Sequence, residues 1–401
     1  MNILMLSLMY PEDQLEEVAQ NAKDKLQNQI NSYQRAFVEG IRSNLKSDEN
    51  LDLVNCLPVG IYPFQYRQLF LKKGIHDGGK IRQLGCLNLP WFKQKGRMVG
   101  ALREIKRWIH ENPENRTLLL YTQYLPYMEA VCWLKKRYSD LRAAVIVTDL
   151  PNELGLASGR KGLMKAIEYR RGSRSIQLCQ QMDGFVLLTE PMAEALQIAH
   201  KPYIVIEGLI QSNALLERDD ETSAKLAILY TGTLEPALGI GDMLKAFAEM
   251  PDCELWICGQ GSMQEQVFDA SNRYPNIKYF GFVPQKEALA LQAKATALIN
   301  PRTPEGIFTR YSFPSKTLEY LRSGKPVICY QLEGIPSDYD PYLMYIGEQG
   351  SAGIKRAVRR LREMSAQERQ AWGNAGREYV LCTKNPSVQC QKLLSLLRKL
   401  G

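Results

Sequence analysis

From one end of the chain to the other, short apolar runs alternate with amphipathic helical stretches, and this alternation is the strongest constraint on what the sequence can fold into. Strands that alternate with helices cross back in the same direction, which gives βαβ units and parallel sheets. In the first half the strand candidates are "NILMLSL", "LDLVNCL", "TLLLYTQ", "AAVIVTDL", "GFVLLTE" and "YIVIEG". In the second they are "LAILYTGTL", "CELWICG", "IKYFGFV", "TALINP" and "PVICYQ", several followed by helical patterns such as "GDMLKAFAEM" and "EALALQAKA". The polar stretch "QSNALLERDDETSAK" between the two series lacks strand periodicity and reads as a linker. The expectation is an α/β protein of two doubly wound domains, residues 1–208 and 209–384. From Asn385 onward, "NPSVQCQKLLSLLRKL" is a separate amphipathic helix with a proline in its first turn, free on these grounds to pack on either half, the first included.

A chain of 401 residues exceeds one ordinary core, in keeping with two domains. Of its residues 45% are hydrophobic and 23% charged, an ordinary globular balance that excludes disorder as the default. The nine cysteines form no CxxC pair, and Cys56, Cys258 and Cys329 sit inside apolar runs, so the pattern is that of reduced thiols in an intracellular protein. The opening "MNILMLSLMYPEDQ" has no basic start and breaks after about ten residues, short of the roughly 20 that span a bilayer. It reads as a first buried strand, and the expected location is cytoplasmic. The net charge of +8 is concentrated, which leaves peripheral contact with a membrane surface open.

Doubly wound sheets take ligands beyond the carboxyl ends of their strands, and three loops of the second half point there. "YTGTL" puts Gly232 after one strand and "CGQGS" puts Gly259 and Gly261 after the next, where a missing side chain lets backbone N–H groups approach a phosphate. Glycine there is more often only a turn. "SFPSKTLEYLRSGKPVI", residues 312–328, says more. Pro314 suits a first helical turn, and Ser312 or Ser315 can cap it. Lys316 adds positive charge where free N–H groups already favour an anion; beside a bare helix start it is unfavourable, beside a phosphate it is favourable. Glu319, one turn deeper on the same face, can accept two hydrogen bonds from a vicinal diol such as a ribose. The competing reading is a solvated i,i+3 ion pair.

"GFVPQKEALALQAKATALINPR" followed by "YSFPSKTLEYLRSGKPVI" resembles the donor half of glycosyltransferase family 4, and more narrowly its bacterial polysaccharide-assembly branch with an S-F-P-S-K-x-x-E-Y signature. The resemblance is specific from about Ile228 to Ile328 and architectural elsewhere. It implies a GT-B fold, two Rossmann-like domains facing each other across a cleft. It further implies a retaining, metal-independent transferase that moves a hexose-type sugar from a UDP- or GDP-sugar to a saccharide or polyprenyl-diphosphate-linked acceptor, with no cofactor beyond the donor substrate. Residue by residue, Gly232 would lie beside the diphosphate and Ser315 with Lys316 would hold it, with Thr233, Gly259, Tyr311 and Ser312 also in the donor site. Glu319 would take the ribose as the second glutamate of a Glu-x7-Glu motif. Phe282, Val283 and Pro284 would contact the base, and Asn300 and Arg302 the sugar side. Two departures stand out. Tyr311 occupies the position of the first motif glutamate, for which Glu305, followed by Gly306, is a candidate substitute across an insertion. Thr233 stands where many members place a basic residue, which makes Lys316 the main cation for the leaving diphosphate, with Arg302 or Arg310 as helpers. The lone Asp-x-Asp, Asp338 to Asp340, sits in "GIPSDYDPY" and reads as a turn rather than a metal site.

The first half holds the acceptor side. Asp149 in "VIVTDLPNE" ends a strand and is the preferred acceptor-side carboxylate, with a turn or helix cap as the plain alternative. Glu190 in "LLTEP" and Glu207 in "VIEG" also end strands. His76, His110 and His200, the only histidines, read as structural or surface residues. Between Arg67 and Arg107 stand Lys72, Lys73, Lys80, Arg82, Lys93, Lys95, Arg97, Arg103 and Lys106, interleaved with Phe70, Trp91 and Phe92 and flanked by Tyr66 and Trp108. "RKGLMKAIEYRRGSR", from Arg160, is a second basic stretch. An anionic membrane, a solvated face and nucleic acid are the readings open to such a pattern, in that order. Against the transferase reading stand a sugar-nucleotide 2-epimerase of the same fold and a non-catalytic GT-B subunit; the transferase in cell-surface polysaccharide synthesis, of capsule or exopolysaccharide, is preferred.

Overall fold

The computed structural model describes residues 1–151, 162–210, 225–306 and 309–401. Most of the linker stretch, and Arg160 and Lys161 of the second basic stretch, lie outside the described residues. The chain divides into two compact units, Met1–Leu209 with Pro386–Gly401, and Ile210–Asn385.

In the first unit the strands are β1 (Asn2–Ser7), β2 (Asn50–Asn55), β4 (Gly74–His76), β5 (Ile81–Gln83), β7 (Arg116–Tyr121), β8 (Arg142–Val147), β9 (Gly184–Leu187) and β10 (Tyr203–Val205). They form one sheet in the order β10-β9-β8-β7-β1-β2-β5-β4, parallel except for the antiparallel edge strand β4. Outside this sheet β3 (Phe70–Leu71) pairs antiparallel with β6 (Cys86–Leu87), enclosing β4 and β5. The order reverses between β1 and β7. The helices are α1 (Leu15–Asn21), α2 (Asn28–Arg42), α3 (Phe92–Glu111), α4 (Leu125–Lys135), α5 (Leu163–Cys179) and α6 (Met192–Ala195). Strands covered on both faces must be apolar throughout rather than alternating, and Ile3 to Leu6, Leu118 to Leu120 and Ala143 to Val147 are accordingly buried without interruption.

The C-terminal helix, Pro386–Leu400, returns to this unit and packs on α2 through Cys390, Leu393, Leu394 and Leu397 beside Phe37 and Ile41. Gly40 makes the approach possible, because a Cβ there would lie 2.3 Å from the Pro386 carbonyl oxygen. Arg398 closes the far end on Glu49 at 2.7 Å, and that hydrogen bond holds the Glu49 carboxyl down at about 2.

In the second unit six parallel strands, β11 (Leu226–Thr231), β12 (Cys253–Cys258), β13 (Ile277–Tyr279), β14 (Ala297–Asn300), β15 (Val327–Cys329) and β16 (Leu343–Tyr345), run in the order β13-β12-β11-β14-β15-β16. The helices are α7 (Ile240–Ala248), α8 (Gln264–Arg273), α9 (Gln285–Lys294), α10 (Ser315–Arg322), α11 (Ser351–Glu363) and α12 (Ala366–Thr383). Ser365 and Glu368 form a capping box that starts α12. Asp338 to Asp340 fall within a 3-10 helix, Ser337–Tyr342, where Tyr339 is buried and Asp340 accepts from the Tyr345 hydroxyl at 2.7 Å. Among the described residues no group of His, Cys, Asp and Glu is placed to hold a metal ion.

Candidate functional site

The strand order of the second unit reverses between β11 and β14, and ligands of doubly wound sheets bind beyond the carboxyl ends of the strands at such a point. Ile228 pairs with Ala297 and Leu229 with Leu298; continuing that register sets Thr231, the last residue of β11, level with Asn300, the last of β14. α10 is fastened to this point by Tyr320. Its buried hydroxyl accepts from the Thr231 N–H at 2.9 Å and donates to the Thr231 carbonyl at 3.0 Å, and burial raises its pKa. Glu319 and Lys316 are thereby carried to the end of β11.

Lys316 donates to both Glu319 oxygens at 3.1 Å, and Gln292 of α9 donates to Glu319 Oε1 at 2.7 Å. Gln292 is fully buried, also reaches Thr231 Oγ1 at 3.4 Å, and among the described residues its Oε1 has no hydrogen-bond partner. The i,i+3 pair is therefore present, but it is no isolated surface pair: a buried amide holds Glu319 from behind. Both charged side chains keep about a third of their surface open, 34% for Lys316 and 27% for Glu319, which leaves them reachable by a ligand.

Three expectations about the anion site need correction. Neither Ser312 nor Ser315 caps α10: Pro314 holds the cap position with no side-chain cap, Ser315 is the first helical residue, and Ser312 Oγ accepts from Arg302 Nη2 at 2.7 Å. The Gly232 N–H is not turned to a ligand, since it donates to the Cys258 carbonyl at 2.9 Å. The Gly259 N–H likewise donates to the Gly281 carbonyl at 2.8 Å. These glycines serve the joining of loops. A Cβ at Gly259, whose φ is +152°, would stand 1.7 Å from the Gly232 oxygen, and one at Gly261 would stand 2.3 Å from the Leu234 oxygen. Thr233 lies in the same ladder, its carbonyl accepting from the Tyr230 hydroxyl at 2.7 Å.

On the other side of the point, Asn300 ends β14 and Arg302 follows it; Asn300 is buried, and burial lowers the Arg302 pKa. Tyr311 lies beside the Arg310 guanidinium, 5.8 Å from its ring, and Arg310 also faces Glu333 at 3.5 Å. Glu305 is exposed and precedes Gly306, whose carbonyl accepts from the Thr309 hydroxyl at 2.8 Å. Phe282 is exposed, Val283 packs on the core, and Pro284 holds the cap position of α9.

In the first unit Asp149 follows β8. Its surface is open to solvent, yet the chain packed around it raises its pKa, against the opposing hydrogen bond of Thr148. Burial first, then the Asp149 charge, raises the pKa of Tyr121 at the end of β7. Glu190 is exposed and accepts from Tyr203 at 3.4 Å, whereas Glu207 is buried near Tyr33, so these two carboxylates occupy different settings. At the β1/β7 reversal, Asn55 accepts from the Met9 N–H at 2.7 Å and Gln34 from the Leu8 N–H at 2.8 Å, pinning the loop after β1. Neither residue stands out in the sequence, because a buried amide inside a strand or helix carries no pattern of its own.

The basic segment sorts itself by burial. Lys93 and Arg97 are buried: Lys93 Nζ donates to the Val59 and Gly60 carbonyls, and Arg97 to the Tyr124 hydroxyl at 2.8 Å and the Leu57 carbonyl. Lys73 and Arg107 pair with Glu104. Tyr66 and Trp108, which flank the segment in the sequence, are core residues.

Solved structures share this architecture. The chain aligns over 100% of its length with sucrose-phosphate synthase from Thermosynechococcus elongatus, covering 100% of that chain (TM-score 0.59, 13% identity). It aligns over 100% of its length with a lipopolysaccharide outer core galactosyltransferase, covering 99% of that chain (TM-score 0.60, 12% identity). The chain has the GT-B fold. Residues 215–379 match the family Glycosyl transferases group 1. Over 117 residues the sequence is 28% identical to O-antigen chain mannosyltransferase B of Escherichia coli, a stretch that makes up 27% of this chain and 29% of that relative, so the match spans less than a third of the relative's length.

Proposed function

We propose that the protein is a retaining glycosyltransferase that moves a hexose-type sugar from a UDP- or GDP-sugar to a saccharide or polyprenyl-diphosphate-linked saccharide in cell-surface polysaccharide synthesis. The observation that carries the proposal is the placement of Lys316 and Glu319, fastened by Tyr320 and Gln292 at the β11/β14 reversal. The ribose hydroxyls donate to Glu319, whose position Gln292 keeps. Lys316 leaves Glu319 for the diphosphate, aided by the start of α10. When the bond from the anomeric carbon to the diphosphate oxygen breaks, the electron pair goes to the diphosphate, and a fixed cation there lowers the barrier more than it favours the ground state. The acceptor oxygen then bonds to the same carbon on the face the diphosphate leaves, its hydroxyl proton passing to the departing diphosphate oxygen, with Asp149 the candidate carboxylate that orients that hydroxyl on the acceptor side. The family match over residues 215–379 and the likeness to an O-antigen mannosyltransferase support a donor site here and polysaccharide as the product class.

A thermal-shift screen of UDP- and GDP-hexoses tests the reading, because a ligand that binds the folded state raises its melting point by mass action. A positive donor followed by product analysis with and without acceptor separates transfer from epimerisation. The rival reading, a non-catalytic GT-B subunit, is favoured by the engaged Gly232 amide and by Thr233 in place of a cation. Silence of every nucleotide-sugar in the screen selects it.

A further inference from the structure

The chain between β2 and α3 presents a surface that donor chemistry does not use. Four aromatic side chains stand in water there: Phe64 is 79% exposed, Phe70 65%, Trp91 78% and Phe92 62%. They emerge from one knitted patch of chain. Phe70 is paired to Leu87 across the antiparallel β3–β6 pair, and the Tyr62 and Asn88 backbones are joined at 3.1 Å. Lys93, next to Phe92, reaches the Gly60 carbonyl at 3.0 Å. Trp91 sits at the start of α3 with a φ of +67°, a conformation non-glycine residues rarely adopt, and it uses that strained corner to point an indole outward.

Exposed large apolar side chains grouped on a monomer mark a contact surface, and the charge around these says with what. Residues 60–97 hold eight lysines and arginines against one acid, Asp77. Of these cations Lys93 and Arg97 are buried and Lys73 is paired with Glu104, while Arg67, Lys72 and Lys95 are exposed. Rigid aromatics among exposed cations match an anionic bilayer surface, where rings sit at headgroup depth and each nearby cation adds attraction. Glu17, which accepts from Gln68 at 2.8 Å, borders the patch as an opposing charge. Among the described residues no helix is long and apolar enough to cross a membrane. We infer that this patch docks the first unit onto an anionic lipid surface, with Trp91, Phe92, Phe64 and Phe70 entering the headgroup layer. The inference does not rest on the transferase reading.

The experiment is sedimentation of the full chain with vesicles of phosphatidylcholine alone or with about a third phosphatidylglycerol. The expected result is binding to the anionic vesicles only, lowered about tenfold or more by Trp91→Ser with Phe92→Ser, and separately by Arg67→Glu with Lys72→Glu. Brominated lipid should quench tryptophan fluorescence in the wild type and much less in Trp91→Phe. No partition of the wild type, or partition that the aromatic pair leaves unchanged, overturns the proposal. So does self-association that depends on Trp91 without vesicle binding, which would assign the patch to a second copy. The substituted side chains are exposed, and unchanged melting temperatures of the variants confirm that folding is not what moved. The nucleotide-sugar screen reads the other unit, so a failure here and a failure there are told apart.

Discussion

Gln292 holds Glu319: the buried amide of α9 donates to the carboxylate of α10 at 2.7 Å, at the carboxyl end of β11. Lys316 shares that task, but in the proposed complex Lys316 turns to the diphosphate and Gln292 alone keeps the carboxylate in place. Gln292→Leu should therefore weaken nucleotide binding by about tenfold, the worth of one hydrogen bond to a charged group. Calorimetry with the donor nucleotide reads this, and unchanged affinity would remove Glu319 from the ribose site.

Gly259 joins the loops that follow β11 and β12. With φ at +152° and the Gly232 oxygen 1.7 Å from an added Cβ, Gly259→Ala must push two backbones apart. A loss of about 3 kcal/mol or more is expected, against nearly none for Gly347→Ala, where an added Cβ meets nothing within 4 Å. Denaturant melts of the two variants make the comparison. Equal stability would show that the loops can part without cost.

Lys93 gives the first unit a pH dependence of definite sign. Burial first, and the neighbouring Arg97 charge second, hold its pKa down at about 7. The unfolded chain binds the proton more tightly than the folded one between that value and the ordinary lysine value, so this site adds stability as pH rises through that window. Wild type should gain on Lys93→Met by a few kcal/mol between about pH 7 and about pH 10. A pH-independent gap between the two would contradict the buried, carbonyl-bound lysine.

Asp149 has its pKa raised by the packing around it. If it orients the acceptor as a carboxylate, kcat/KM should fall as pH drops, starting above the usual aspartate range, and Asp149→Asn should lose activity by about tenfold or more at neutral pH. A pH profile identical in Asp149→Asn and wild-type enzyme would return Asp149 to the role of a turn residue.

What was legible in the sequence was whatever periodicity encodes. Apolar runs such as "ILMLS" and "LLLY" announce strands buried on both faces, and the paired placement of Lys316 and Glu319 follows from helical spacing alone. What was not legible depends on contacts between distant segments. The Gly232 and Gly259 amides look free in sequence and are consumed by Cys258 and Gly281 across the sheet edge. Gln292 is one polar residue in a mixed helix until folding sets it under Glu319, 27 positions away. The β3–β6 pair has strands of two residues each, too short for any pattern, and the exposed Phe70 lies in it. The cations between Arg67 and Arg107 read as a single block, yet Glu104 and the carbonyls of Leu57, Val59 and Gly60 divide them into buried, paired and exposed.

The central claim is that α10 holds a nucleotide diphosphate through Lys316 and a ribose through Glu319. The most direct measurement is sugar transfer by wild type and Lys316→Ala from the donor that the screen identifies, with the variant's melting temperature checked alongside. Loss of turnover by on the order of 10²-fold or more, with the fold intact, is the predicted result. Turnover close to wild type in Lys316→Ala would contradict the account.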